Sequence, residues 1–271
     1  MFWTAALVAQ ALLGDGAFAL RLSRNSDFSR QIRQRLHPLN EAAGPAYRPC
    51  TAGGRDFGGF PRALYDLRYP APGSPKFATR VAERLRAGGF DCNVDRRRGL
   101  DHGAWVPLLL MYPKADIPVL QLSVQPHLGP EHHLRVGRAL APLRSEGVLI
   151  IGSGSFTHDL SEFCGHNPND PAPNWVNSFA DWFDAALAKG QIDDLIDYRR
   201  RAPFATKNHP TEEHLLPLYA ALGAAAENAC VERLHTSSTY SVLRMDVYAF
   251  QALDDQAQNS SLNTRQCVEM I

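Results

Sequence analysis

Two continuous apolar runs bracket one helix-length segment, and that order leaves the chain few possible folds. The first run, Ile117-Pro118-Val119-Leu120-Gln121-Leu122-Ser123-Val124, is rich in β-branched and aliphatic residues, with its proline near the start, where a strand loses least. The second, Gly147-Val148-Leu149-Ile150-Ile151-Gly152-Ser153-Gly154, ends in glycine. Between them, Glu131 to Ser145 reads as a helix. A strand that is apolar throughout, rather than alternating, is one covered on both faces. Strand, helix and strand in that order describe a crossover, hence a parallel pair under helices and the α/β class. Further helices are predicted over Lys76 to Ala87 and over Asn174 to Leu187, the latter with Trp175, Phe179, Trp182 and Phe183 in an amphipathic pattern.

At 271 residues and 45% hydrophobic, the chain can fill one large core or two modest ones; the pattern favours one domain of about 200 residues with irregular ends. Residues 1 to 54 are atypical: an apolar opening, an arginine-rich stretch from Arg21 to Arg35, then a segment of Gly, Ala and Pro. The regular domain spans 55 to 251, and 252 to 271 form a tail. Lys+Arg and Asp+Glu are equal at 28 each, so no overall basic field draws nucleic acid. Arg96-Arg97-Arg98 and Arg199-Arg200-Arg201 read as solvated loop or helix ends. No run of about 18 apolar residues exists to cross a membrane. Ala17-Phe18-Ala19 resembles a signal-peptidase site, but no lysine or arginine precedes the apolar opening and Asp15 follows it, so a cytoplasmic protein is expected. Cys50, Cys92, Cys164, Cys230 and Cys267 are scattered and form no Cys-x-x-Cys pair, which suggests reduced thiols and argues against sulfur-ligated zinc.

The chemistry-bearing segments are few. In Asn208-His209-Pro210-Thr211-Glu212-Glu213-His214-Leu215-Leu216-Pro217-Leu218, two histidines and a carboxylate precede a helix that starts near Glu213 or His214. Pro217 fits the first turn, whose NH groups have no partner in any case, and Leu215, Leu218, Tyr219 and Leu222 recur at helical spacing. Imidazole is the commonest ligand for divalent transition metals, Glu213 offers a hard oxygen, and the positive end of a helix favours neutral, metal-binding His214. The bland alternative makes His214 a residue near a cap and His209 a loop residue. His158, in Gly152-Ser153-Gly154-Ser155-Phe156-Thr157-His158-Asp159, follows the second apolar strand, and ligands of open α/β sheets bind outside such strand ends; the alternative is a loop histidine bonded to Asp159. The Gly-Ser-Gly turn lacks both Walker spacing and the Gly-x-Ser-x-Gly of a hydrolase elbow. Asp101-His102-Gly103-Ala104-Trp105 offers His102 as an acid or base in a cleft for an aromatic ring, or else is a turn packed by Trp105. His127, His132, His133, His166 and His235 read as surface residues.

Taken together, these segments are more specific than any one of them. Asp56-Phe57-Gly58-Gly59-Phe60-Pro61, Leu64-Tyr65-Asp66, Tyr69-Pro70-Ala71-Pro72-Gly73, the His102 and His158 segments, His209-Pro210-Thr211-x-Glu213-His214 and the late Thr239-Tyr240-Ser241-Val242-Leu243-Arg244-Met245 occur in one family's order. The chain resembles a class III extradiol ring-cleavage dioxygenase of the 4,5-DOPA dioxygenase branch, over roughly Arg55 to Phe250. The resemblance implies a three-layer α/β/α sandwich around a largely parallel or mixed sheet, with 55 to 251 as the catalytic domain. It implies one mononuclear site for Fe(II) or Zn(II) with His158 and His214 as metal ligands, and His102 and His209 as catalytic positions near the substrate. It implies a catechol-type, DOPA-like substrate and O2 as reactants, no organic cofactor, and no nucleic-acid or membrane partner.

The chain also departs from the pattern. The family's other two ligand histidines belong to an early His-Gly-Ser/Ala-Pro turn and a Ser-Ala-His-Trp strand end, and neither motif occurs here. Arg55 stands where relatives often carry histidine, and His37, the only histidine in the first 54 residues, matches neither motif. Half the protein ligands of a mononuclear site would thus be missing, which implies impaired activity; a frameshift, wrong start or rearrangement would account for an altered N-terminus. A second reading, from another class, is a non-catalytic relative acting as a weak metal-binding or interaction scaffold. A zinc hydrolase ranks third, without a His-Glu-x-x-His helix.

Overall fold

The computed structural model describes residues 69 to 95, 99 to 225 and 229 to 251, together with the backbone of Thr4–Ala9. The arginine-rich stretch, the peptidase-like Ala17-Phe18-Ala19, His37, the Asp56 to Asp66 motifs, Arg96-Arg97-Arg98, Cys50, Cys267 and the tail from 252 lie outside the described residues. In chain order the elements are β1 (Thr4–Ala9), α1 (Pro75–Ala87), α2 (His102–Met111), β2 (Val119–Ser123), α3 (Gly129–Leu140), β3 (Val148–Gly152), α4 (Asn174–Ala188), α5 (Ile192–Ile196), α6 (Tyr198–Arg201), α7 (Ala205–Asn208), α8 (Leu216–Ala224), β4 (Cys230–His235), β5 (Ser238–Thr239), β6 (Leu243–Arg244) and β7 (Val247–Gln251). Helix and strand mix as an α/β chain should, and the chain divides into two compact units.

The described residues of the first unit are Thr4–Ala9, 69 to 95, 99 to 155 and Thr211–Ala224. Its sheet runs in the order β2-β1-β3, with β1 antiparallel to both neighbours. This corrects the parallel pair expected from the crossover: β2 and β3 do run parallel to each other, but β1 lies between them and makes the sheet mixed. The N-terminal apolar opening, which reads as no regular element, supplies that strand, because a segment bonded on both edges needs little intrinsic strand propensity. The apolar runs are sorted by the strand period of 2. Leu120, Leu122, Val148 and Ile150 join a cluster with Phe77, Val81 and Leu85 of α1 and Leu140 of α3, whereas Val119, Leu149 and Ile151 join another with Leu108 and Met111 of α2. Both faces of these strands are therefore covered, as their unbroken hydrophobicity requires.

Helix α1 starts where the sequence signals it. Ser74 caps α1 by accepting from the Phe77 N–H at 3.4 Å, with Pro75 at the first helical position, and Phe77, Val81 and Leu85 recur on the buried stripe. α8 lies on α3 with backbones touching: a Cβ on Gly137 would sit 2.2 Å from the Ala220 carbonyl oxygen, and one on Gly223 2.0 Å from that of Leu134.

The described residues of the second unit are 156 to 210, 225 and 229 to 251. Its core is aromatic. Phe179 and Phe183, one turn apart on α4, are fully buried with ring centroids 4.9 Å apart, and Phe183 meets Phe156 at 5.5 Å and Tyr198 at 5.6 Å. β4 and β7 pair antiparallel, as do β5 and β6. Tyr240 and Ser241 hold consecutive left-handed conformations, φ 49° and 66°. Such strain persists only where the surroundings over-determine it. Here the Tyr240 N–H donates to the Pro168 carbonyl at 3.2 Å and the Ser241 hydroxyl to that of Pro171 at 2.7 Å. Cys92 and Cys164 are free thiols, but Cys230 is disulfide-bonded, which corrects the expectation of a reduced thiol at that position.

Candidate active site

His214 belongs to the first unit, in a turn just before α8 rather than inside it. The helix begins at Leu216, after the Leu215 and Leu216 N–H groups both bond the Glu212 carbonyl, and Pro217 occupies the first turn as expected. Leu215, Tyr219 and Leu222 are buried, while Leu218 is half-buried. The turn is set directly on the end of β3. A Cβ on Gly152 would lie 2.1 Å from the Pro217 carbonyl oxygen and one on Gly154 2.0 Å from that of His214, and the Ser155 N–H donates to the same His214 oxygen at 3.0 Å. The Gly-Ser-Gly turn is thus neither a phosphate cradle nor a nucleophile elbow. Its glycines, two residues apart on one face, clear space for the backbone that carries His214. The imidazole is buried, with Nδ1 3.4 Å from Glu213 Oε1, which also accepts from the Thr211 hydroxyl at 2.8 Å.

His158 and His209 come together in the second unit. The His158 N–H donates to the Asn208 carbonyl at 2.8 Å, and His209 Nε2 lies 2.8 Å from the Phe156 carbonyl oxygen. A carbonyl can only accept, so Nε2 carries the proton and Nδ1 is left with its lone pair. His209 is fully buried, its Nδ1 has no hydrogen-bond partner among the described residues, and its ring lies 5.6 Å from that of Phe179. Burial lowers its pKa to about 4; His158 and the Arg199 guanidinium push the same way, against the opposing bond to Phe156. The ring is therefore neutral at pH 7. Thr157, between Phe156 and His158, is locked by donating to the Val242 carbonyl at 2.6 Å and accepting from the Arg244 N–H at 2.9 Å.

His102 opens α2 in the first unit. Asp101 caps that helix through the Ala104 N–H at 3.2 Å and exchanges two bonds with Gln121 of β2, at 2.9 and 2.7 Å. The segment that reads as a turn is thus a helix start, and Asp101 is a structural cap. His133, read as a surface residue, is buried: its Nδ1 donates to the Gly129 carbonyl at 2.6 Å and its Nε2 accepts from the Gln125 N–H at 3.2 Å. Burial lowers its pKa to about 4. Among the described residues, no group of three or more His, Cys, Asp or Glu is gathered to hold a metal ion. Asn208, Thr157 and Arg199, which brace the two histidines of the second unit, carry no sequence signal beyond adjacency to them. Among the described residues no helix is long and apolar enough to cross a membrane.

Residues 47–250 match the family described as the catalytic LigB subunit of aromatic ring-opening dioxygenase. The chain is 49% identical over 197 residues to the 4,5-DOPA dioxygenase extradiol of Beta vulgaris, covering 72% of each. It is 46% identical over 182 residues to the protein of the same name from Mirabilis jalapa, covering 67% of each. This chain belongs to the class III extradiol dioxygenases, in the 4,5-DOPA dioxygenase branch. The dioxygenase also resembles the crystal structure of an uncharacterized protein from Escherichia coli K12, with a TM-score of 0.61 and 35% identity over 68% of this chain and 76% of that one. The activity that comes with membership is extradiol opening of a catechol-type aromatic ring, and the family's metal site is mononuclear.

Proposed function

We propose that this dioxygenase opens a DOPA-like catechol, with His209 as the group that takes and returns the phenol proton. One observation carries the reading: His209 is a buried neutral imidazole with its Nε2–H fixed on the Phe156 carbonyl and its Nδ1 without a hydrogen-bond partner among the described residues. A base must be unprotonated at working pH and held in one orientation, and this ring meets both conditions. His102, at the start of α2, is the second proposed position near the substrate. Residues 55 to 251 form the proposed catalytic domain, as a three-layer α/β/α arrangement; the burial of strands β2 and β3 on both faces supports that layering.

The proposed metal ligands are His158 and His214, toward one Fe(II) or Zn(II). The carboxylate of Glu213 beside His214 Nδ1 fits such a role. The set as a whole does not, because two imidazoles are about half of what a mononuclear site needs, and the described residues gather no third donor. His158 and His214 would be this chain's hold on the metal, and a redox-active ion there would supply one-electron chemistry between catechol and O2. This chain's own contribution is the lone pair at His209 Nδ1, which takes the phenol proton and returns it. Cytoplasmic residence is also part of the proposal, supported by the free thiols Cys92 and Cys164 and opposed by the Cys230 disulfide; fractionation decides it.

The decisive test is anaerobic reconstitution with Fe(II), followed by O2 uptake with DOPA and a panel of catechols. Uptake above that of free Fe(II) is expected, with bound metal below one per chain, because two imidazoles hold a metal weakly. Absence of that uptake overturns this reading in favour of a scaffold without turnover, which the two missing histidine motifs favour.

A further inference from the structure

We propose that Asn208 is a positioning residue that fixes the orientation of His209 and the backbone of His158. The inference rests on the reading of His209 as the proton-transfer group. Both hydrogens of the Asn208 amide are used: Nδ2 donates to the Trp175 carbonyl at 3.1 Å and to the Phe204 carbonyl at 3.0 Å. The amide cannot flip, because a flip would set Oδ1 against two carbonyl oxygens. The Asn208 N–H bonds the Phe204 oxygen as well, at 2.9 Å, so that oxygen accepts twice from one residue. Phe204 holds a left-handed φ of 55° with its ring half exposed, a conformation with no gain in packing of its own. Its carbonyl is turned toward Asn208.

The residue so clamped is one end of a two-rung ladder. Its carbonyl accepts the His158 N–H, and the next residue returns a bond through His209 Nε2 to Phe156. Arg199 Nη1 holds the His209 carbonyl from the other side at 3.0 Å. Rotation of the Asn208 peptide would break the first rung and swing the ring of the second. Asn208 is fully buried, yet Oδ1 has no hydrogen-bond partner among the described residues. A residue selected for stability alone would not bury a lone acceptor; the amide is kept for its two donors.

The test reads the His209 tautomer by 15N NMR of the metal-free protein at fixed pH, in wild type, Asn208→Asp and Asn208→Ser, with folding checked by circular dichroism. The wild type is expected to show a single Nε2–H tautomer. Folded variants, having lost one or both amide donors, are expected to show mixed tautomers and, in the reconstituted enzyme, kcat about 10²-fold lower at unchanged KM. A merely structural role would lower the melting temperature and leave the tautomer alone, which overturns the proposal. So does a wild-type ring that is mixed or protonated at Nδ1, a result that needs no variant to fold. If the tautomer shifts as expected but the wild type takes up no O2, the positioning role stands and the proposed function falls.

Discussion

His214 in the first unit and His209 in the second are both buried imidazoles in loops that precede or follow short helices, yet opposite means hold them. His214 is placed by what is missing: Gly152 and Gly154 carry no side chain, so its backbone lies on the strand end. His209 is placed by what is present, a lattice of side-chain donors from Asn208, Thr157 and Arg199 onto carbonyls. The difference teaches where each region is fragile. A packing seam fails when volume is added, whereas a hydrogen-bonded lattice fails when a donor is removed.

The largest effect should come from breaking the seam. Gly154→Val sets a side chain into the His214 carbonyl, which no rotamer can relieve; the expected cost is about 3 kcal/mol or more, or loss of soluble folded protein, in urea melts. Should that variant fold with near-wild stability, the contrast between seam and lattice collapses. In the lattice, His209→Gln should lower kcat of the reconstituted enzyme by about 10²- to 10⁴-fold in steady-state assays, while leaving the melting temperature close to that of wild type.

Acid should strain both regions in the same direction. His133 and His209 have folded pKa values near 4, below the ordinary 6.5, so the unfolded chain binds more protons between those limits. Their contribution is complete above about pH 6.5 and is lost as pH falls toward 4, roughly 3 kcal/mol for each ring. His133→Gln should flatten the slope of stability against pH over that window; a slope identical to wild type would exclude a buried neutral His133. Thr157→Val keeps the shape but strips the Val242 carbonyl and the Arg244 N–H of their partner, at about 1–3 kcal/mol by thermal melt. Least of all, Arg201→Ala removes a half-exposed ion pair to Asp194 at 2.7 Å and should cost under about 1 kcal/mol.

The fold was legible in the sequence wherever it depends on local periodicity. Predicted boundaries of α1, α3, α4, β2 and β3 lie within a few residues of those observed, because caps, glycines and apolar spacing act over one or two turns. The strand β1 was not legible: a short Ala-rich segment becomes a strand only because two others flank it. The Asp101-His102-Gly103-Ala104-Trp105 segment reads either as a cleft with His102 as acid or base or as a turn packed by Trp105, and the structure makes it a helix start, with Asp101 capping through the Ala104 N–H and tied to Gln121, twenty residues away.

The sequence by itself determined the α/β class, the family, and the histidines worth attention, since these follow from residue types in a fixed order. Only the tertiary structure decided that β1 separates the two parallel strands, that His133 is buried, and that the Gly-Ser-Gly turn is a seam for His214. It alone put the His209 proton on Nε2, by bringing the Phe156 carbonyl, fifty-three residues away, to 2.8 Å. The physical reason is one of range. Propensity and patterning are carried by neighbours in the chain, whereas burial, close approach and the partner of a ring nitrogen are set by segments the chain brings together only on folding.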